Sequence, residues 1–277
     1  MDINFIYLVG DNTPSFKLIH YIVVKSWLVN NPSYTAIIWT NTPPTYAPWW
    51  WRLLGEFNDR IKVVDPEGLI KTIPEELRGP FNQSKYIAHQ ADILRLQALY
   101  IHGGIYCDLD QICLHSFEKI FTGIKPVYPT ELAPDGHFNG IPNGLFYAPA
   151  HSKWLFDCME FYKNYNPDEW RSTSIDGPTD MYFEDRSRIT TIPAGMIDPV
   201  SWTYRDWQAF FMHDGFLCNS DIWAVHVSES ATKNILKLID LTHIMTVNTN
   251  FTRVVRQFVE CWWDKTNNCA KISAYEW

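Results

Sequence analysis

The fold is decided by residues 91–110, which read ADILRLQALYIHGGIYCDLD. Apolar residues recur every three or four positions in and just before this stretch, at Ile87, Ala91, Leu94, Ala98 and Ile101. This spacing predicts a helix with one apolar face, and the pair Gly103-Gly104 is a typical helix stop. Residues 105–107 then predict a short buried strand, with Asp108-Leu109-Asp110 at its C-terminal end. Open α/β sheets bind ligands at that edge, so we expect a functional site there.

The elements before this stretch alternate between strands and helices. Apolar runs predict strands at residues 3–9, 34–40 and 61–64, and a helix at residues 15–30 lies between the first two. This alternation favours an α/β fold with a parallel sheet and crossover connections. Beyond residue 111 the pattern predicts a hairpin region at 127–147, helices at 152–165 and 179–186, a strand at 221–227 and a helical portion from 233 onward.

Composition and charge limit the possible functions. The chain has 277 residues and is 46% hydrophobic, which is enough for one sizeable core, and we expect a single domain over residues 1–277. Its net charge is −8 and its sequence pI is about 5.6, which argues against nucleic-acid binding. No apolar run reaches the length of a transmembrane segment. Residues 3–9 are too short for a signal-peptide core, and these features together favour a cytoplasmic protein.

The triplet Asp108-x-Asp110 is weak evidence on its own, because a solvated turn after a strand can carry it by chance. Its chemistry nevertheless suits a divalent cation, since hard cations prefer carboxylate oxygens. An anionic ligand would be repelled by the acidic chain as a whole. Its binding would therefore need a local positive centre, either a metal ion or a well-placed arginine.

In its wider context the triplet resembles the DXD-containing glycosyltransferases related to family 32, and also the catalytic domain of large glucosylating toxins and capsular polysaccharide synthesis enzymes. The matching residues are Asp92, Arg95, Leu99, Gly103, Gly104, Tyr106, Asp108 and Asp110. The resemblance extends over residues 3–114 and fades after that. It implies a GT-A fold, in which a Rossmann-like mixed central sheet is flanked by helices and followed by a helical C-terminal portion. Residues 1–114 would form the donor-nucleotide half and residues 115–277 the acceptor side.

The resemblance also implies roles for individual residues. Asp110 would ligate Mn²⁺ or Mg²⁺ directly, and Asp108 would contact the metal or the donor's ribose and sugar. Asp92 and Arg95 would hold sugar hydroxyls, with Arg95 also near the phosphate. Their alternative is an ion pair on the helix surface, since they are three residues apart. Asn143 falls where the family has an Asn that opens a strand beside the donor sugar, which completes a catalytic set.

The family's donor and metal sites include residues outside the core motif. The donor nucleotide sugar would contact Asp92, Arg95, Tyr106 and Asp108, and its nucleobase would contact Tyr7, Val9 and Trp39. The alternative for Trp39 is an ordinary place in the core. Residues 223–226, an apolar run ending in His226, are similar to a late family strand that supplies the third metal ligand beside Asp108 and Asp110. The family's Ser-Trp pair after that His is absent here, and a lone His after a strand can also be structural.

The leading hypothesis is a metal-dependent, retaining glycosyltransferase that moves a hexose from a UDP- or GDP-sugar to a glycan or protein acceptor, as in polysaccharide biosynthesis. One alternative is a non-catalytic scaffold that binds sugar or nucleotide. Another is an Asp-dependent phosphatase, but there the triplet usually ends the first strand, and three candidate strands come earlier here. A nucleophile for a retaining reaction is not evident, although Asp180, Glu184 and Asp185 lie in a plausible region.

Overall fold

The structure is a computed structural model that describes residues 1–10, 15–84, 86–169, 171–200, 203–215 and 221–259. Its strands are β1 Asp2–Ile6, β2 Thr35–Trp39, β3 Ile61–Val64, β4 Gly104–Cys107, β5 Gln111–Cys113, β6 Val127–Pro129, β7 Glu131–Leu132, β8 Phe138–Gly140, β9 Leu145–Ala148, β10 Thr190–Ile192 and β11 Ala224–His226. Its helices are α1 Leu18–Asn30, α2 Pro48–Phe57, α3 Glu67–Thr72, α4 Glu75–Gln83, α5 Ile87–His102, α6 Lys153–Phe161, α7 Gly177–Glu184, α8 Ala194–Ile197, α9 Tyr204–Met212, α10 Glu229–Leu236, α11 Leu241–Thr246 and α12 Asn250–Arg256. None of these helices has the length and apolar character needed to cross a membrane.

The central sheet is mixed and mostly parallel, which confirms the predicted α/β class. Its strand order is β10-β6-β9-β4-β1-β2-β3. Strands β4, β1, β2 and β3 run parallel to one another, whereas β9 is antiparallel to both β4 and β6. Two small antiparallel sheets, β5 with β11 and β7 with β8, lie outside it. Because β9 pairs with β4, the residues that follow β4 lie next to a strand from the second half of the chain.

The two glycines after α5 set the path of the chain into β4. Gly103 has φ +66° and Gly104 has φ +104°, a region that favours glycine. A Cβ atom on Gly104 would lie 2.6 Å from the carbonyl oxygen of Asp2, because β4 runs directly beside β1. The predicted helix, glycine stop and strand are thus observed in the predicted order. They carry Asp108 and Asp110 to the C-terminal edge of the sheet.

The core has two parts, one on each face of the sheet. Helix α1 is almost entirely buried on one face, which explains its nearly continuous apolar sequence. Helix α5 packs on the other face together with α3, α4 and α6. The buried indole Nε1 of Trp27 in α1 donates a 2.9 Å hydrogen bond to the carbonyl of Gln111. This bond ties the first face to the strand that follows the aspartates.

Several predicted boundaries differ from the observed ones. Strand β1 ends at Ile6 rather than Val9, and α1 begins at Leu18, where Lys17 is still extended. The helix predicted at 152–165 is α6 followed by a 3₁₀ turn at Tyr162–Asn164. The helix predicted at 179–186 is α7, which begins two residues earlier after a π-helical turn at Ser172–Asp176. The helical C-terminal portion is observed in α10 to α12, and residues 260–277 lie outside the described residues.

Candidate active site

A cavity of about 750 Å³ opens at the edge of the sheet where β4 ends. The loop at residues 108–110 and the turn at residues 142–144 before β9 form one wall. The β7–β8 hairpin and the start of α10 also contribute lining residues. Side chains of α5 form part of the lining, including Asp92 and Arg95. The cavity therefore lies at the edge of the sheet where a ligand site was predicted.

Arg95 is the centre of a buried polar network. Its Nη2 atom lies 3.1 Å from Asp92 Oδ1 and 3.3 Å from Asp108 Oδ1. Its Nη1 atom donates to the carbonyl and to the Oδ1 of Asn143, at 2.9 and 3.0 Å, and the guanidinium lies 4.4 Å from the centre of the Tyr106 ring. Only 6% of Arg95 is exposed, so the Asp92–Arg95 ion pair is present but buried rather than on the helix surface.

Asp108 is held in one orientation by its neighbours. The Tyr106 hydroxyl donates a 2.6 Å hydrogen bond to its Oδ1, and its backbone N–H donates to the carbonyl of Gly144 at 2.8 Å. Burial raises the pKa of Asp108, and the Arg95 charge opposes this shift. A Cβ atom on Gly144 would lie 2.8 Å from Asp108 Oδ2. A glycine is therefore needed at position 144 for the carboxylate to keep this place.

Asp110 and His226 meet through the small sheet formed by β5 and β11. The strand register pairs Gln111 with His226, and the backbone N–H of Val227 donates to the Asp110 carbonyl at 2.9 Å. His226 Nε2 consequently lies 3.1 Å from Asp110 Oδ1. The backbone N–H of Glu229 donates to the other carboxylate oxygen at 2.7 Å. Two residues that are 116 positions apart are thus placed in direct contact.

The pKa values of this pair show how its charge is balanced. Burial alone would lower the pKa of His226, but the Asp110 carboxylate outweighs it and raises the pKa to about 10. Burial alone would raise the pKa of Asp110, but the His226 charge and its hydrogen bonds lower it to about 2. In this geometry a protonated His226 and the Asp110 carboxylate therefore stabilise each other's charge.

The residue types fit a divalent cation. Asp108, Asp110 and His226 each offer one ligand atom, and these atoms lie within 4.8 Å of one another. Two carboxylates and one imidazole are a donor set that Mn²⁺ accepts, and Mg²⁺ accepts the carboxylates. A bound cation would take over the charge balance from the imidazolium proton, because a ligating imidazole must be neutral.

Asp198 is a further residue of the site, which the sequence pattern did not indicate. It follows α8, and its Oδ2 lies 3.9 Å from His226 Nδ1, on the side of the ring away from Asp110. Its Oδ1 is buried and has no hydrogen-bond partner among the described residues. Burial raises the pKa of Asp198 to about 7. In the sequence it precedes a proline and reads as an ordinary turn residue.

Glu229 links the start of α10 to the start of α1. Its carboxylate contacts His20 Nε2 at 2.8 Å and forms an ion pair with Lys17. Burial raises the pKa of Glu229, but the hydrogen bonds from His20 and Lys17 outweigh burial and lower the pKa to about 2. The backbone of the same residue holds Asp110. Nothing in the local sequence signals this link, because its two sides are more than 200 residues apart.

The three residues predicted to hold the nucleobase do not line the cavity in the described part of the chain. Trp39 is 6% exposed, donates from its indole nitrogen to Asn4 and stacks on His102. Tyr7 is buried and Val9 is half-buried in the same part of the fold as α1. Their contact with a nucleotide stays a prediction.

Both the sequence and the fold of this chain are similar to those of known proteins. Residues 20–125 match the family described as glycosyltransferase sugar-binding region containing DXD motif. Glucan organizing enzyme 1 of Cryptococcus neoformans var. grubii serotype A (strain H99) is 24% identical over 268 residues, which are 90% of this chain and 66% of that protein. The chain thus spans just under two thirds of the length of this relative.

Two solved structures align with this chain to different extents. The PaToxG glycosyltransferase superposes with a TM-score of 0.52 at 18% identity, over 93% of this chain and 86% of that one. The galactosyltransferase LgtC, solved with donor and acceptor sugar analogues, has a TM-score of 0.42 at 17% identity, over 70% and 74% of the two chains. The fold is therefore of GT-A type, and residues 20–125 are similar to the DXD-containing sugar-binding region of glycosyltransferases.

Proposed function

We propose that this chain is a metal-dependent, retaining glycosyltransferase that transfers a hexose from a UDP- or GDP-sugar to a glycan or protein acceptor. One observation carries the proposal: Asp108, Asp110 and His226 converge within 4.8 Å at the cavity wall, although His226 comes from a distant strand. The buried guanidinium of Arg95 lies beside them. Two acids, an imidazole and a fixed cation at one cavity edge suit an anionic donor bound through a metal.

The chemistry of transfer assigns work to these groups. The bond between the anomeric carbon and a diphosphate breaks, and a divalent cation when bound neutralises the leaving group as a Lewis acid. Asp92 and Asn143 are fixed by Arg95 and line the cavity. In our proposal they orient the hydroxyls of the donor sugar, and Arg95 adds positive charge near the phosphate. Because this network is rigid and buried, it needs little reorganisation during the reaction.

Retention of configuration calls for a nucleophile or for attack from the same face as the leaving group. Asp180, Glu184 and Asp185 are exposed and are not among the described residues that line the cavity. This position argues against all three as nucleophiles. We therefore favour attack on the front face, with the departing phosphate accepting the proton of the acceptor hydroxyl.

The donor is tested by calorimetric titration of UDP and GDP with and without Mn²⁺. We expect one nucleotide to bind in a metal-dependent way to the wild type and to lose this binding in Asp110→Ala. Asp59→Ala serves as a control, since Asp59 is exposed and is not among the cavity-lining residues. If neither nucleotide binds under any metal condition, the transferase proposal fails.

A second assay separates an enzyme from a non-catalytic scaffold. Sugar derivatives of the nucleotide that binds are incubated with the protein and Mn²⁺, and release of free sugar is measured. A transferase hydrolyses its own donor slowly in the absence of acceptor, whereas a scaffold binds the donor without turnover. The name of the fungal relative makes a glucan the first acceptor to add.

A further inference from the structure

Next to Asp110 and His226, another part of the cavity wall has a different chemistry. It contains Glu131 to Pro134 of the β7–β8 hairpin, together with Arg171 and Asp198. Arg171 is already engaged, because its Nε donates to Asp176 at 2.8 Å. Glu131 is engaged as well, since it accepts a 2.6 Å hydrogen bond from Asn139, and burial raises the pKa of Asp198 to about 7. Because the Arg171 cation lies on the same wall, its charge and those of the acids are largely balanced, and an anionic group would find no unpaired cation here. Hydroxyl groups could still donate hydrogen bonds to the carboxyl oxygens.

The β7–β8 hairpin extends from the cavity wall to the protein surface. Leu132 lines the cavity and pairs directly with Phe138 on the neighbouring strand. Residues directly opposite one another in an antiparallel pair have their side chains on the same face. Leu132 and Phe138 are 40% and 38% exposed, so this shared face is open to solvent. The apolar surface is therefore continuous from the cavity wall to Phe138.

Beyond Phe138 the surface continues as a group of rings in contact, which we call the aromatic platform: the exposed Phe138 and Phe183 and the half-buried Tyr182. The ring of Phe138 stacks on Tyr182 with centroids 6.0 Å apart and meets Phe183 edge-on at 5.4 Å. Phe183 is 55% exposed. Arg186 lies 5.5 Å from the centres of the Tyr182 and Phe183 rings. Contiguous exposed apolar surface beside a cavity typically marks a binding groove.

The size and shape of the aromatic platform favour a sugar chain over a protein. A stable protein interface covers about 800 Å² on each partner, whereas three partly covered rings can offer only a few hundred Å², since a whole aromatic side chain buries about 150–250 Å². A pyranose combines an apolar C–H face, which suits a ring, with an edge of hydroxyls, which suits carboxylates. A row of such units would meet first the carboxyl groups of the cavity wall, then Leu132, and then the aromatic platform.

We propose that the acceptor is a neutral oligosaccharide. Its terminal sugar lies against Glu131 and Asp198, and the following sugars run over Leu132 onto the aromatic platform. This inference rests on the proposed transferase function and narrows its acceptor from a glycan or protein to an uncharged sugar chain. The donor end of the cavity is left unchanged by it.

The test measures sugar binding separately from donor binding. Linear hexasaccharides of β-1,3-linked glucose and of α-1,6-linked mannose are titrated against the Mn²⁺- and UDP- or GDP-loaded protein by calorimetry, with hexagalacturonate as the anionic counterpart. We expect one neutral hexasaccharide to bind and hexagalacturonate to bind at least tenfold more weakly. Loss of the Phe183 ring in Phe183→Ala should weaken the neutral ligand about fivefold, from the roughly 1 kcal/mol that an aromatic contact contributes.

Two variants keep this result interpretable. Phe183→Leu retains an apolar side chain without the ring and should also weaken binding. Phe156→Ala removes a phenylalanine of α6 that is 42% exposed and is not among the cavity-lining residues, and it should bind like the wild type. All variants should keep wild-type affinity for the nucleotide, which shows that the donor site is intact. If no neutral hexasaccharide binds, if Phe183→Ala binds it as tightly as the wild type, or if only a protein is glycosylated, the inference is overturned while the donor assay still decides the proposed function.

Discussion

Replacement of Gly144 by alanine should damage the metal site without unfolding the protein. The added Cβ atom would lie 2.8 Å from Asp108 Oδ2, which is 0.6 Å less than the shortest ordinary contact of 3.4 Å. The backbone of Gly144 is in a region that alanine also adopts, so the conflict is with the carboxylate alone. Asp108 can give way only by rotating or by moving away from Tyr106 and Arg95.

The size of the effect follows from what holds Asp108. An off-rotamer side chain costs about 0.5–1.5 kcal/mol, and a hydrogen bond to a charged group contributes about 1.5–3 kcal/mol. Because only part of each is lost, we expect a penalty near 2 kcal/mol, which is roughly a thirtyfold loss of affinity. The assay is calorimetric titration of Mn²⁺ in the presence of the nucleotide that binds.

Gly195→Ala is the matched control for this experiment. Gly195 lines the same cavity in α8, and a Cβ atom there would meet nothing within 4 Å. We expect this variant to bind Mn²⁺ like the wild type and to unfold at the same or a slightly higher urea concentration, since alanine favours helix over glycine. Wild-type Mn²⁺ affinity in Gly144→Ala would refute the argument that Asp108 has one usable orientation.

Three further expectations concern charges around the cavity. Asp198→Asn should lower Mn²⁺ affinity roughly tenfold in calorimetry, because a carboxylate beside the far nitrogen of a ligating His fixes its ring and tautomer; an unchanged affinity would contradict this role beside His226. Arg95→Met should lower the free energy of unfolding in urea by about 3–5 kcal/mol, since Asp108 is left buried without its partner; a loss below about 1 kcal/mol would be at odds with the buried network. Glu229→Gln should lower the free energy of unfolding at pH 7 by up to about 3 kcal/mol. The pKa of Glu229 is lower in the folded than in the unfolded chain, so this stabilisation is present above about pH 4.5 and lost as the pH falls toward 2. If the difference in free energy of unfolding between wild type and variant grew on acidification, this reasoning would be wrong.

The sequence predicted the donor half of the fold well because its signals are local. The apolar period of α5, the glycines at 103 and 104 and the short strand β4 each follow from residues within one turn or one strand of each other. The alternation of strands and helices up to residue 64 is equally local. These elements alone set the position of Asp108 and Asp110 at the edge of the sheet.

The parts that the sequence did not predict depend on contacts between distant segments. Asp198 and Glu229 acquire their places through His226 and His20, which come from other elements. Trp39 was predicted at the nucleobase because of its chemistry, and the structure places its indole against Asn4 in the core. A single chain without aligned relatives gives no sign of such pairings. The meeting of Glu131, Arg171 and Asp198 on one cavity wall also could not be predicted from the sequence, because it depends on where the hairpin packs.

The contact between β5 and β11 has a consequence for how the protein is made. A ribosome releases Asp108 and Asp110 early and His226 more than 100 residues later, and a domain generally folds as a unit. An incomplete chain therefore holds the two aspartates but lacks His226 and the backbone N–H of Glu229, which orient Asp110. We expect that such a chain cannot bind a nucleotide sugar, so the nascent enzyme does not hydrolyse donor before its acceptor half exists. Pairing of β5 with β11 would then be the last step that completes the site around Asp110.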